Sequence, residues 1–186
     1  MLINESDDLE QIWERVQTEL KKGPTAKRHP FRFTVLSTTG IEGVSSRWVV
    51  FRKYTEATKL LIFTDSRSEK CAELKRNPNS SLLFYHDRHK LQVRIQALAT
   101  LHQQDELTAK YWPGVKGSNP NDFISLLPPG KMIEEKALGY EHDIGVDDRF
   151  FTVLEFDPQK FDILQLNRDT HIRAEFIKHK GDCQAS

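Results

Sequence analysis

The chain has 186 residues, of which 38% are hydrophobic, and its 27 lysines and arginines balance its 27 aspartates and glutamates. This length favours one domain with a sizeable core, and the neutral charge argues against a general nucleic-acid or membrane-surface binder. No apolar run reaches the length of a membrane span, and the acidic N-terminus does not resemble a secretory signal. Two distant cysteines predict neither a disulfide framework nor a metal site, and a cytoplasmic location is expected.

The predicted elements begin with one helix and continue mainly as strands. Apolar residues at helical spacing predict a helix over residues 6–22, within an N-terminal segment of 1–23. A second helix over 67–76 is predicted after the capping pair Ser66 and Glu69. Alternating or apolar runs predict strands over 31–39, 45–54, 59–64, 80–86 and 90–101.

The region after residue 103 is less regular. Short helices are predicted over 104–112 and 119–127, and residues 113–148 form an insertion that contains an ordered lid over 127–148. Strands are predicted over 149–156, 161–166 and 171–179, and residues 181–186 as a loose tail. About eight short strands with few helices favour a single domain over 1–186, an antiparallel barrel or sandwich.

Basic and hydroxyl side chains collect where a predicted strand meets a predicted helix. Arg47 and Arg52 lie on one strand, and the strand-to-helix turn carries Thr64, Ser66, Arg67, Ser68 and Lys70. Guanidinium, ammonium and hydroxyl groups, together with the free N–H groups of a helix N-terminus, are the donors that a phosphate needs. The same residue types are also common at solvated helix starts, so the pattern alone leaves both interpretations open.

Several short motifs, in their order and spacing, resemble the pyridoxamine 5'-phosphate oxidase family. They are RWVVFR at 47–52, FT at 63–64, SEK at 68–70, NP at 77–78, LLF at 82–84 and QVR at 92–94. A weaker similarity continues through AKYW at 109–112 to HIR at 171–173. The resemblance implies a mainly β fold, an FMN-binding split barrel of antiparallel Greek-key type with peripheral helices.

The resemblance also implies FMN as cofactor, bound at the interface of a homodimer. Arg47 and Lys70 would hold the phosphate with Thr64 and Ser68, while Gln92 and Arg173 would approach the flavin ring, some of them from the other subunit. The full set of implied cofactor contacts is Arg47, Val49, Val50, Arg52, Phe63, Thr64, Ser68, Lys70, Gln92 and Arg173. For Val49 and Val50 the implied contact is through the backbone.

The substrate half of the family's pattern is incomplete in this chain. Arg52, Tyr111 and His171 are the implied substrate contacts, but Val115 and Asp169 stand where the family has arginines. We therefore predict an FMN-dependent oxidoreductase that takes a hydride from a small molecule onto flavin N5, and that is not an efficient pyridoxamine-phosphate oxidase. No catalytic acid or base is identified.

Alternatives remain open for the function and for each residue. The chain is also compatible with a non-catalytic flavin- or haem-binding sensor or carrier, with another flavin such as FAD or a deazaflavin, or with an interaction dimer that lacks a cofactor. We favour a site role for Arg47, Lys70 and Gln92 and an ordinary surface role for Arg67, and Arg173 is equally compatible with pairing to Glu175. Solvated histidines are the favoured interpretation of His86, His89, His102 and the cluster 141–143, and no metal site is predicted.

Overall fold

The computed structural model describes residues 1–118, 120–131, 147–167, 170–179 and 182–185. The helices are α1 Leu9–Lys22, α2 Glu69–Arg76, α3 Glu106–Lys116 and α4 Asn121–Ile124, with a 3₁₀ turn at Pro30–Arg32. The strands are β1 Phe33–Thr39, β2 Val44–Tyr54, β3 Leu60–Asp65, β4 Asn79–His86, β5 Leu91–Gln103, β6 Phe151–Gln165, β7 Ile172–His179 and β8 Asp182–Ala185. None of the described helices combines the length and apolar character that crossing a bilayer requires.

Six antiparallel strands close into a barrel. The strand order is β3-β2-β1-β4-β5-β6, and β6 pairs back onto β3, while β7 and β8 extend the sheet beyond β6. The run β3-β2-β1-β4 places the fourth strand beside the first, which is the Greek-key arrangement. Closure satisfies the backbone of both terminal strands and leaves no open barrel edge. The predicted mainly β barrel with peripheral helices is confirmed.

The alternation of side chains along β5 shows how the sequence fills the barrel. Leu91, Val93 and Ile95 are fully buried inside, whereas Gln92 and Arg94 between them face outward. Successive side chains of a strand point to opposite faces, so this register assigns every second residue to the outer surface. The Gln92 side chain therefore lies outside the barrel core, where only groups at the outer surface can contact it.

Helix α1 packs its apolar face on the barrel. Asp8 caps it, because its carboxylate accepts the Gln11 N–H while the Gln11 side chain accepts the Asp8 N–H. The helix consequently begins at Leu9, three residues later than predicted. Trp13 lies edge-on to Phe161, with ring centroids 4.7 Å apart, and fixes the helix against β6.

Two predictions for the end of the chain differ from the structure. The turn expected at residues 157–158 does not form, and β6 runs unbroken from Phe151 to Gln165. Gln96 pairs with Lys160 and Ala97 with Pro158, so Gln159 of β6 is the extra residue of a bulge, and a bulge tolerates a proline that cannot donate to the ladder. The predicted loose tail contains β8, which pairs with β7.

A second apolar cluster covers the outer face of β3 and β6. Leu61, Phe123, Phe151 and Val153 are buried there, and Trp112 of α3 packs against them. Both faces of β3 are therefore covered, which explains its continuous apolar run. Helices α3 and α4 are held in this way beside the end of β3, where the candidate site lies.

Candidate functional site

The turn between β3 and α2 organises the candidate site. β3 ends at Asp65, whose backbone carbonyl accepts both the Ser68 N–H, at 3.1 Å, and the Ser68 hydroxyl, at 2.7 Å. This turn brings the Thr64 and Ser68 hydroxyl oxygens to 3.4 Å from each other. Helix α2 begins at Glu69, so its first N–H groups open onto the same turn.

Lys70 is a largely buried cation at this turn. Its ammonium donates a hydrogen bond of 2.9 Å to the Thr64 hydroxyl. Burial lowers the pKa of Lys70, and the nearby charge of Arg47 lowers it further. Among the described residues no carboxylate forms an ion pair with Lys70, because Asp65 pairs with Arg67 and Glu73 with Arg47. A largely buried ammonium without an ion-pair partner among the described carboxylates, beside two hydroxyl groups, fits the phosphate of FMN.

A cavity of about 530 Å³ opens beside this turn. Five of the implied cofactor contacts line it, namely Val50, Arg52, Phe63, Thr64 and Lys70. The opposite wall is formed by Asn121, Phe123, Ser125 and residues 127–131, so the described start of the predicted lid does border a pocket. Asn121 and Phe123 carry no signal in the linear sequence, because only the docking of α4 on β3 brings them there.

Two of the implied substrate contacts lie close to Phe63, which lines the cavity. The Arg52 guanidinium carbon lies 5.8 Å from the centre of the Phe63 ring, and the Tyr111 ring centre lies 5.3 Å from it on another side. The third, His171, does not line the cavity. It lies exposed before β7, and its Nδ1 accepts the Asn167 N–H at 3.3 Å.

Arg47 is held by an acidic partner rather than by the cavity wall. One Nη atom lies 2.9 Å from Glu73 Oε2, the other donates to the Thr38 hydroxyl, and that hydroxyl donates to Glu73 at 2.5 Å. Burial alone would raise the pKa of Glu73, but the bond from Thr38 and the charge of Arg47 lower it. Arg47 shares the inward row of Val49, so it is not the exposed edge residue of the alternative interpretation, and its role toward phosphate stays a prediction.

Gln92 and Arg173 lie on the outer surface of the barrel. Both are register neighbours of Leu164, Gln92 from β5 and Arg173 from β7. Two bonds of 2.9 Å join the Arg173 guanidinium to Asp162, whereas Glu175 is 4.0 Å away. Arg173 therefore pairs with nearby carboxylates, as the alternative interpretation expected, with Asp162 as the main partner and Glu175 at the limit of an ion pair. Neither Gln92 nor Arg173 borders the cavity of its own chain.

Among the described residues, Glu19, His29 and His86 form a group compact enough to share an ion, with ligand atoms within 4.8 Å of one another. Its hydrogen bonds, however, already specify the proton positions. Nδ1 of His29 accepts the Phe31 N–H at 3.1 Å, and Nδ1 of His86 accepts the His89 N–H at 3.3 Å.

A neutral histidine that accepts at Nδ1 carries its proton on Nε2. In both rings Nε2 points at Glu19, at 2.8 Å for His29 and 3.8 Å for His86. A metal bound at Nε2 instead needs Nδ1 to be a donor. The group is thus a carboxylate shared by two histidines, and neither Glu19 nor His29 drew attention in the sequence.

Comparison with known proteins agrees with this geometry. The family model for the FMN-binding domain of pyridoxamine 5'-phosphate oxidase matches residues 10–103, about half of the chain. A Paraburkholderia phymatum pyridoxine/pyridoxamine 5'-phosphate oxidase is 31% identical over 102 residues, which are 55% of this chain and 47% of that protein. The chain thus spans about half the length of the curated relatives it matches.

Solved structures extend the likeness to nearly the whole fold. A pyridoxamine 5'-phosphate oxidase-related, FMN-binding protein of Nostoc punctiforme superimposes with a TM-score of 0.72 and 20% identity, covering 94% of this chain and 95% of that one. PhzG of Burkholderia lata, in complex with tetrahydrophenazine-1-carboxylic acid, gives 0.69 and 18%, covering 96% and 88%. With the family match, these similarities identify the protein as a member of the pyridoxamine 5'-phosphate oxidase FMN-binding domain family.

Proposed function

We propose that the chain binds FMN with its phosphate at Lys70 and Thr64 and uses it to oxidise or reduce a small molecule. The observation that carries the proposal is the largely buried Lys70 ammonium, which borders the cavity and forms no ion pair with a described carboxylate. Burying a cation without an opposite charge is costly, so a phosphate dianion at this point would stabilise the site. FMN is the cofactor of the family to which the chain belongs.

Each lining residue has a distinct part in this proposal. Lys70 and Thr64 hold the phosphate, with the buried Ser68 hydroxyl beside that of Thr64, and Val50 and Phe63 offer an apolar surface to the flavin. When bound, FMN supplies two-electron redox chemistry, in which a hydride passes between the small molecule and the flavin and dioxygen or another acceptor takes the electrons away. The protein itself contributes position and electrostatics.

The proposed assembly is a homodimer. Gln92 and Arg173 face outward, so they can complete the cavity of a second copy but not their own. Trp48 is 67% exposed, and it belongs to the same outer face, because β2, β1, β4 and β5 are neighbours in the sheet. A second copy packed on this outer face would cover the exposed Trp48 side chain. The cytoplasmic location stays a prediction.

The substrate is proposed to be something other than pyridoxamine phosphate. Val115, which stands where the family has an arginine, packs against the apolar cluster over β3 and β6 and leaves no cation at that point of α3. Asp169, the second departure, lies outside the described residues. Arg52 and Tyr111 remain as the substrate contacts proposed near the cavity.

A non-catalytic flavin carrier is the second candidate. The apolar Val115 favours it, because the substrate half of the site then lacks the cation that the family has at this position. The two candidates differ in turnover of the FMN-loaded protein. Anaerobic bleaching of the flavin band by a small-molecule reductant such as NADPH, at a rate above that of free FMN, supports the oxidoreductase. A rate equal to that of free FMN with every reductant tried supports the carrier.

Phosphate binding is tested separately by FMN retention after gel filtration. The wild type and Lys75→Ala, which alters an exposed lysine of the same helix, are expected to retain flavin. Lys70→Ala is expected to lose it. Equal retention by all three proteins would remove the basis of the proposal.

A further inference from the structure

Arg67 has a more specific role than its position in the sequence indicates. Its guanidinium binds both carboxylate oxygens of Asp65, the shortest bond being 2.6 Å, and its carbon lies 3.6 Å from the centre of the Phe150 ring. The remaining donors point elsewhere, to the Ser125 carbonyl at 2.8 Å and the Leu126 carbonyl at 3.2 Å. The side chain is only 17% exposed, although its bond to the Leu126 carbonyl lies at the surface.

The two carbonyls belong to the segment 125–131, which we call the cavity wall segment. It has no regular helix or sheet of its own beyond Ser125. Its internal bonds are short-range, from the Ser125 hydroxyl to the Leu127 carbonyl at 3.1 Å and from the Lys131 N–H to the Pro128 carbonyl at 3.3 Å. The docking of α4 on β3 and the β-bridge at Ser125 hold the start of the segment. Arg67 adds a direct connection from the turn after β3 to the Ser125 and Leu126 carbonyls.

Arg67 therefore joins the two sides of the cavity. On one side Asp65 is part of the turn that places Thr64, Ser68 and Lys70, and on the other side stands the cavity wall segment. We propose that Arg67 is a positioning residue, which holds the cavity wall segment across the FMN site and slows release of the bound cofactor. This inference rests on the proposed FMN binding, since the slowed release concerns that ligand.

Three variants separate the wall contact from the general stability of the fold. Arg67→Lys keeps a cation beside the buried Asp65, but an ammonium cannot bind Asp65 and donate to both the Ser125 and the Leu126 carbonyl as the guanidinium does. Arg67→Ala removes all of these contacts. Arg149→Ala is the matched control, because Arg149 also lies beside Phe150, with 5.6 Å to the ring centre, and its guanidinium pairs with Asp147.

Two measurements are made on each protein. In the FMN-free protein, hydrogen exchange of peptides that contain residues 125–131 measures how readily the cavity wall segment opens. In the holoprotein, stopped-flow mixing with excess competing apoprotein measures the rate of FMN release. We expect faster wall exchange in both Arg67 variants and FMN release about tenfold faster or more, the effect of losing one charge-assisted hydrogen bond. Arg149→Ala should match the wild type in both measurements.

The outcomes distinguish this inference from the proposed function. Unchanged wall exchange and unchanged FMN release in Arg67→Lys would overturn the positioning role while leaving FMN binding intact. If Arg67→Ala does not fold, the two measurements on Arg67→Lys alone test the positioning role. If the wild type takes up no FMN, the proposed function fails, the release part of the inference fails with it, and hydrogen exchange alone decides whether Arg67 holds the wall.

Discussion

The change Lys70→Ala tests the phosphate site most selectively when two ligands are compared. FMN carries a phosphate, whereas riboflavin has the same ring and side chain without it. A hydrogen bond to a charged group contributes about 1.5–3 kcal/mol, so the loss of Lys70 should raise the FMN dissociation constant by roughly 10- to 150-fold. The upper part of that range is expected, because the ammonium is largely buried and donates at 2.9 Å to a hydroxyl of the same site.

Riboflavin should bind the wild type and Lys70→Ala with nearly equal affinity. Both ligands can be titrated by quenching of flavin fluorescence, with Lys75→Ala as the control on the exposed side of α2. An equal loss of FMN and riboflavin affinity would show that the substitution damages the cavity in general. No loss for either ligand would show that the phosphate lies elsewhere, and both results refute the reasoning.

Three further predictions concern pH and the core. Because burial lowers the pKa of Lys70, FMN affinity should fall on the alkaline side before an ordinary lysine would lose its proton, and Lys70→Arg should abolish that fall in a titration from pH 7 to 10. Burial likewise lowers the pKa of His86, so as the pH falls the unfolded chain binds this proton before the folded chain does, and the free energy of unfolding should decrease below about pH 6.5. In melting curves His86→Gln should flatten this decrease, whereas the exposed His171→Gln should not. Phe161→Ala should cost about 3–5 kcal/mol in urea unfolding, against little for the exposed Tyr85→Ala, and similar costs would place the core elsewhere.

The barrel follows from features that are local in the sequence. Alternation along β5 identifies the side chains that enter the core. The strand-to-helix turn at residues 64–70 makes Thr64 and Lys70 candidate phosphate ligands, because hydroxyl and ammonium groups at a helix start suit an anion. These signals depend on neighbours within a few residues, so they are visible without the fold.

Other features depend on residues that only the fold brings together. The pairing of Arg47 with Glu73 joins β2 to α2, and no spacing rule links the two positions. The unbroken course of β6 past Pro158 depends on a bulge at Gln159 in its pairing with β5, and the sequence shows only the turn signal of Asp157 and Pro158. Arg67 resembled a solvated helix-start residue, because its carbonyl partners lie 58 and 59 positions away along the chain.

A crystal structure of the protein grown with FMN tests the central claim most directly. The account predicts a phosphate oxygen within about 3 Å of both Lys70 Nζ and Thr64 Oγ1, with the flavin lying along Val50 and Phe63. FMN seated elsewhere, or a cavity beside Lys70 that stays free of flavin at saturating concentration, would contradict it.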